Sequence, residues 1–232
     1  MKKFFKRLFI FIFVLLILAG IVFGFYVYKG YNMYEKALQE SNMEERISKI
    51  RSKEDYIKLD KIPTNFKNAI IAVEDHRFES HGAVDFVSIA RAIFINIIKF
   101  DLVQGGSTIT QQFAKNTFFS QEKDFTRKIA EIFAAVDLEK KYTKDEIIEM
   151  YMNTIYFGDG YYGINAASHG YYKKDPLDLN LDEITLLAGL PNAPSVYSPS
   201  NNPDLAKQRQ KRVIQCMLEY GYISQEEANK LK

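Results

Sequence analysis

Arg127-Lys128-Ile129-Ala130-Glu131-Ile132-Phe133-Ala134-Ala135-Val136 is the stretch that decides how this chain folds. Ile129, Ile132, Phe133 and Val136 recur at i, i+3, i+4 and i+7, the single apolar stripe of an α-helix. Working outward, the same grammar returns. Thr143-Lys144-Asp145-Glu146 has the spacing of a capping box and opens a helix through Ile147, Ile148 and Tyr151. Asn180 to Glu183 starts another, which Pro191 must stop. Asn202-Pro203 predicts an N-cap and a proline at the first helical position, with Gly221 closing that helix. Ser224 to Glu227 begins a short last one. A brief extended piece is expected at Tyr56-Ile57-Lys58-Leu59, ending at Pro63. No run alternates over enough residues to build a large sheet, and no repeat is present. The expectation is one mainly α-helical domain.

The N-terminus is a separate object. Lys2, Lys3, Lys6 and Arg7 precede 21 uncharged residues, Leu8 to Tyr28. A helix of that length spans about 31 Å, enough for a bilayer core. Ala19-Gly20 would suit a cleaved signal peptide, but the apolar run is too long for one, so an uncleaved anchor is expected. The basic tip predicts a cytoplasmic N-terminus and a domain on the outer side, and with no second long apolar run a single-pass chain is expected. Three parts follow: tip and transmembrane anchor at 1–28, a helical or partly flexible stalk at 29–61, and a domain at 62–232.

Setting the tip's four basic residues aside takes the formal net charge from +2 to about −2. Nucleic acid is therefore not expected as a partner. Cys216 is the only cysteine, which excludes an intramolecular disulfide and paired-cysteine zinc sites; it reads as a packing residue. Phe86 to Val103 carries a broad apolar surface flanked by Arg91 and Lys99. It is either ordinary core or an interfacial helix dipping into the membrane.

Candidate chemistry gathers in three places. Glu74 follows Ala69-Ile70-Ile71-Ala72-Val73, and a carboxylate at the edge of such an apolar helix is a candidate general base. In the following Asp75-His76-Arg77-Phe78-Glu79-Ser80-His81-Gly82, His81-Gly82 reads as a helix end with a left-handed glycine. Gly105-Gly106-Ser107-Thr108-Ile109-Thr110-Gln111-Gln112-Phe113-Ala114-Lys115-Asn116 offers glycines for close approach, hydroxyls at a helix start, and Gln111 and Lys115 on one face. An anion site and an ordinary capped helix use the same residues there. Arg127 and Lys128 precede Glu131 by four and three positions. Either Arg127 and Glu131 form a surface i,i+4 ion pair, or the two cations beside the carboxylate hold a pyrophosphate, with or without a metal at Glu131. Gly158-Asp159-Gly160-Tyr161-Tyr162-Gly163 imitates a dinucleotide-binding pattern but follows a helix, so it reads as a turn. His76, His81 and His169 lack metal-site spacing. The tyrosines of 151–162 and 169–172 read as packing, with sugar stacking as the alternative.

Glu74–Gly82, Gly106–Asn116 and Arg127–Glu131 resemble the first three motifs of the peptidoglycan glycosyltransferases of family 51. Glu146–Asn153 with Ile155-Tyr156-Phe157-Gly158, and Leu186–Pro194, resemble the fourth and fifth. The resemblance covers Ile62 to Lys232. It implies a lysozyme-like helical domain with a small membrane-associated lobe, preceded by one transmembrane helix. It implies polymerisation of lipid II into glycan strands by inverting transfer, with release of undecaprenyl pyrophosphate. Glu74 would deprotonate the acceptor hydroxyl, and Glu131 would serve at the site with Mg²⁺ or Mn²⁺. Arg91, Ser107, Thr108, Gln111, Gln112, Lys115, Asn116, Arg127 and Lys128 would bind substrate. Lipid II, the growing lipid-linked strand, the bacterial cytoplasmic membrane and other cell-wall synthases would be its partners. Lys123 stands where some relatives carry arginine, keeping charge but not bidentate geometry. The chain ends soon after the fifth motif with no Ser-x-x-Lys transpeptidase set, so a monofunctional transglycosylase is expected. The rival readings are a glycan-cleaving lytic muramidase, which would need a second carboxylate, and a non-catalytic membrane scaffold.

Overall fold

One helix, α1 (Lys2–Glu40), runs unbroken through the apolar stretch and twelve residues past it. The computed structural model describes residues 2–99, 105–119 and 124–231; Phe100, Leu102, Val103 and Lys123 lie outside the described residues. From Leu8 to Phe25 the helix is apolar on every face and almost wholly exposed, and it is long and apolar enough to cross a membrane.

The segment expected as a stalk carries part of the core. Tyr34 and Ala37 of α1 are buried, and so are Met43, Ile47 and Ile50 of α2 (Met43–Arg51), which Asn42 and Glu45 open with a reciprocal capping box. Those three residues fall at i, i+4 and i+7, so one face of α2 is apolar and must be covered. At Tyr56-Ile57-Lys58-Leu59 no strand forms. The Asn153 side chain takes the place of a strand partner, accepting from Ile57 N (2.9 Å) and donating to Ile57 O (2.8 Å). Glu149 accepts from Leu59 N (2.8 Å) and from the Tyr56 hydroxyl (2.5 Å).

At the centre lies α3 (Thr64–Glu74), whose Phe66, Ala69, Ile70 and Ile71 are buried. Against it pack α9 (Leu181–Gly189) and α11 (Pro203–Glu219), while α5 (Ile109–Phe118) packs on α6 (Phe125–Lys141) and α7 (Lys144–Thr154), and α8 (Ile164–Tyr172) on α7. The short α10 (Pro194–Tyr197) and α12 (Gln225–Lys230) complete the order. Capping boxes form at Thr143, Asn180 and Ser224 as their spacing predicts. Pro203 opens α11, but Asn202 makes no side-chain cap; its amide donates instead to Val196 O. Gly221 adopts φ 75° and lets Tyr222 N return to Met217 O, closing α11. Around Gly158–Gly163 the chain makes the expected turn, with an isolated bridge between Tyr156 and Tyr162. Among the described residues there is no other strand pairing.

Two expectations are corrected. His81-Gly82 is not a left-handed helix end: Gly82 is absent from the positive-φ residues, and the bend is held by the His81 ring, bonded to Asp75 and Gly82. Nor is α4 (Phe86–Lys99) ordinary core. Only Ala92 is buried, while Phe94 and Ile97 are each 65% exposed and Phe86 77%.

Candidate active site

Glu74 is the last residue of α3, and the chain turns sharply at Asp75, so a buried apolar helix delivers one carboxylate to the mouth of a cleft. Its side chain is 8% exposed and both oxygens meet donors. Gln112 Nε2 donates to Oε2 at 2.8 Å, and Arg209 Nη2 lies 3.3 Å from Oε1. Each donor is itself held. Gln112 Oε1 accepts from the Tyr151 hydroxyl (3.1 Å), and Arg209 Nε donates to Gly189 O (3.2 Å). Tyr151 is fully buried, and burial first, then the charges of Glu74 and Asp75, push its pKa well above the ordinary value. It therefore stays a donor.

Asp75 does not share the chemistry of its neighbour. One oxygen accepts from Ile109 N at the start of α5 (3.0 Å) and the other lies 2.7 Å from His81 Nε2. Burial alone would lower the His81 pKa, but hydrogen bonds to Asp75 and the Gly82 carbonyl, with the Asp75 charge, leave it raised. Asp85 is buried and doubly bonded by Arg77 (2.8 and 3.0 Å). Burial would raise its pKa, but Ser88 and Arg77 outweigh that and hold it far below the carboxylate range. Asp75, His81 and Asp85 lie close enough to suggest a metal group, yet these partners already occupy them.

Two cavities flank the centre. The first, about 600 Å³, is lined by Glu74, His76, Arg91, Ser107, Arg209 and Tyr220 among others. The second, about 640 Å³, is lined by Lys115, Asn116, Lys49, Lys53, Tyr156 and Tyr162 among others. Gln112 and Asn192 line both, so the residue that holds Glu74 also stands between the two spaces. In the first, His76 stacks on Tyr220 (centroids 4.4 Å apart), and Arg91 lies 3.4 Å from the His76 ring and 3.3 Å from Ser88 Oγ. Arg91 Nε is buried with no hydrogen-bond partner among the described residues. Burial and the nearby Arg91 lower the His76 pKa.

The cations assemble on α5 and α6. Glu131 is 1% exposed; one of its oxygens accepts from Arg127, and the other from Lys128 Nζ at 2.8 Å. Lys128 Nζ also donates to Ser107 Oγ at 2.8 Å, tying α6 to the segment before α5. Lys115 makes no ion pair within 4 Å among the described residues. Burial first, countered by Glu131 and reinforced by Arg127 and Lys128, lowers its pKa. A half-buried ammonium whose charge is disfavoured is the group that an incoming anion relieves most. Glu131 does not fit a divalent ion as it stands. Both oxygens are taken by cations, and such ions need several oxygen ligands.

Other expected site residues serve the frame. Thr108 and Gln111 form the reciprocal capping box of α5, and Gln111 is 2% exposed. Thr108 Oγ1 donates to Ala83 O (2.9 Å) while its residue borders the first cavity. Gly106 borders the first cavity and also lets α4 approach: a Cβ there would lie 3.1 Å from Ile89 Cα of α4. Sequence reasoning missed Arg209, which lies between Ala206 and Val213 on the buried side of α11. A cation in that apolar row was the available signal.

A family model described as Transglycosylase matches residues 41–218. The chain is 44% identical over 189 residues to penicillin-binding protein 1F of Bacillus subtilis, covering 82% of this chain and 26% of that one. It is 46% identical over 172 residues to penicillin-binding protein 1A of Aquifex aeolicus, covering 74% and 24%. A Cupriavidus necator protein, provisionally named a transglycosylase, is 44% identical over 78% of each chain. Thus the chain spans about a quarter of the penicillin-binding proteins it matches. The crystal structure of penicillin-binding protein 1A from Haemophilus influenzae aligns with 76% of this chain and 17% of its own at 24% identity, TM-score 0.46.

Proposed function

The chain belongs to the transglycosylase family, and from that premise we propose that it polymerises lipid II into peptidoglycan glycan strands. The observation that carries the reading is the divided cleft, with Gln112 between its two spaces holding Glu74 on the wall of the first, and Lys115 bordering the second. Polymerisation needs two glycosyl sites flanking one base, and cations where the leaving group departs. Glu74 takes the proton of the acceptor's 4-hydroxyl. That oxygen attacks the anomeric carbon of the growing strand with inversion, and the bond to undecaprenyl pyrophosphate breaks, its electron pair leaving with the phosphate. Lys115, Arg127 and Lys128 neutralise that charge in a half-buried setting where cations act strongly. Glu131 holds Arg127 and Lys128 in place, and no step is routed through a metal.

The rest of the molecule supports the same reading. The long apolar stretch of α1, with its basic tip, anchors the chain with the domain on the outer side of the cytoplasmic membrane. The exposed apolar face of α4 forms the membrane-associated lobe. Other cell-wall synthases act beside it on the same strands. A lytic hydrolase would want a second free carboxylate; Asp75 and Glu131 are both engaged, which leaves the exposed Glu219, on the wall of the first cavity, as the candidate for that role. The test is incubation of the protein with labelled lipid II and sizing of the products. Muramidase-sensitive polymer, lost in Glu74→Gln, is expected; cleavage of preformed glycan without polymer would assign a hydrolase instead.

A further inference from the structure

The apolar stretch of α1 ends at Tyr28, and two residues later α1 meets α6 at Gly30. A Cβ at position 30 would lie 2.6 Å from Ile129 Cγ2 and 2.7 Å from Ile129 Cβ. Atoms do not pack that closely, so the two helices come together because position 30 has no side chain. The contact continues on both sides. Tyr26 meets Phe125 edge-on (5.3 Å), Tyr31 meets Phe133 (5.4 Å), and the Tyr34 hydroxyl donates to Asp137 (2.9 Å).

Phe125, Ile129, Phe133 and Asp137 are a single i, i+4 row of α6. Arg127 and Glu131 stand two residues out of phase, about 200° around the helix, and face away from α1. The membrane helix therefore grips one side of α6 while Arg127 and Glu131 stand on the other, with Lys128, one residue before Ile129, about 100° round between them. Gly30 lies about 3 Å along the axis from Tyr28 at 1.5 Å per residue. The first turns of α6 thus stand where an apolar span gives way to headgroups. A pyrophosphate joined to a polyprenyl tail must lie at that level too, because its charge stays out of the hydrocarbon that holds the tail.

We propose that Gly30 is a positioning residue that locks α6 to the membrane helix at headgroup depth, so that the cation set meets a donor pyrophosphate anchored in the bilayer. The catalytic part of this inference rests on the function proposed above; the depth does not. The test uses the full chain in phosphatidylethanolamine–phosphatidylglycerol vesicles. A spin label at Asp124→Cys, beside the first turn of α6, reports depth through its collisions with oxygen and with an aqueous nickel chelate; native Cys216 is buried. The label is expected at the headgroup level and displaced when Gly30→Leu is added. Gly30→Leu is expected to raise KM for long-chain lipid II about ten-fold or more, yet to change KM for a short-chain, water-soluble analogue by less than about two-fold. Restoring the approach with Gly30→Ala plus Ile129→Gly should recover much of the loss. A label far above the headgroups, or unmoved by Gly30→Leu, overturns the proposal. Equal losses on both donors, or none, do the same. Should the unsubstituted protein polymerise neither donor, the proposed function fails, and the label alone still decides the depth.

Discussion

Arg209 shows what a single residue adds to the cleft. Among the described residues it is the one cation bonded directly to Glu74, and its Nε is fixed on Gly189 O. Arg209→Ala should lower kcat about 10- to 100-fold with little change in KM, and Arg209→Lys should restore only part, because lysine cannot hold both partners. Steady-state kinetics on lipid II would check this; a rise in KM alone would mark Arg209 as a substrate ligand instead. Glu131→Gln removes the carboxylate between Arg127 and Lys128 and leaves the cations facing one another. A loss of about 3 kcal/mol in denaturant unfolding is expected, and an unchanged midpoint would mean the cluster is less strained than its burial implies. His81 offers a pH test. Its folded pKa is raised above its ordinary 6.5, so its contribution is full below that value and fades as pH rises through the folded one. The thermal midpoint should therefore fall toward that of His81→Gln between about pH 5.5 and about pH 8. A difference that stays constant over that range would show that the bond does not depend on ring charge. The Arg127–Glu131 pairing was legible in the sequence because its helical spacing announced it, and Glu74 was legible as a carboxylate at the end of an apolar helix. Arg209 and Tyr151 were not, since nothing local links residues 135 positions apart or makes a tyrosine the keeper of Gln112.

At the scale of elements, legibility followed locality. The boxes at Thr143, Asn180 and Ser224 close within four residues, and each was readable from the string alone. Helix α2 was not, because a nine-residue amphipathic segment behind an anchor gives no sign of what covers its apolar face. That face is buried in the domain, so Ile47→Ala should cost about 2 to 4 kcal/mol in equilibrium unfolding. A change within about 0.5 kcal/mol would return the segment to the standing of a tether. Helix α5 teaches a related point. Thr108 and Gln111 read equally well as cap and as ligand, and the structure spends both side chains on the cap while Gln112 turns to Glu74.

Among the described residues, the molecule exposes two long apolar surfaces, the stretch of α1 and the outer face of α4. Replacing Phe94 and Ile97 by serine should leave the thermal midpoint nearly unchanged, since both are 65% exposed. The same double variant should weaken use of lipid II in vesicles several-fold while sparing a short-chain analogue. Loss on both donors would mean that α4 shapes the cleft itself. Sequence periodicity could not choose between core and membrane for α4, because an apolar stripe looks the same against either medium. The unbroken apolar length of α1 has a kinetic consequence as well. Under the proposed function, a catalyst held by such a helix and a substrate held by its own tail meet by diffusing in a plane. Their encounter rate is governed by how many of each share a given area of lipid, whatever the volume of the tube. Adding empty lipid to a fused vesicle preparation, with protein and substrate amounts fixed, should slow the reaction, whereas adding buffer should leave it alone.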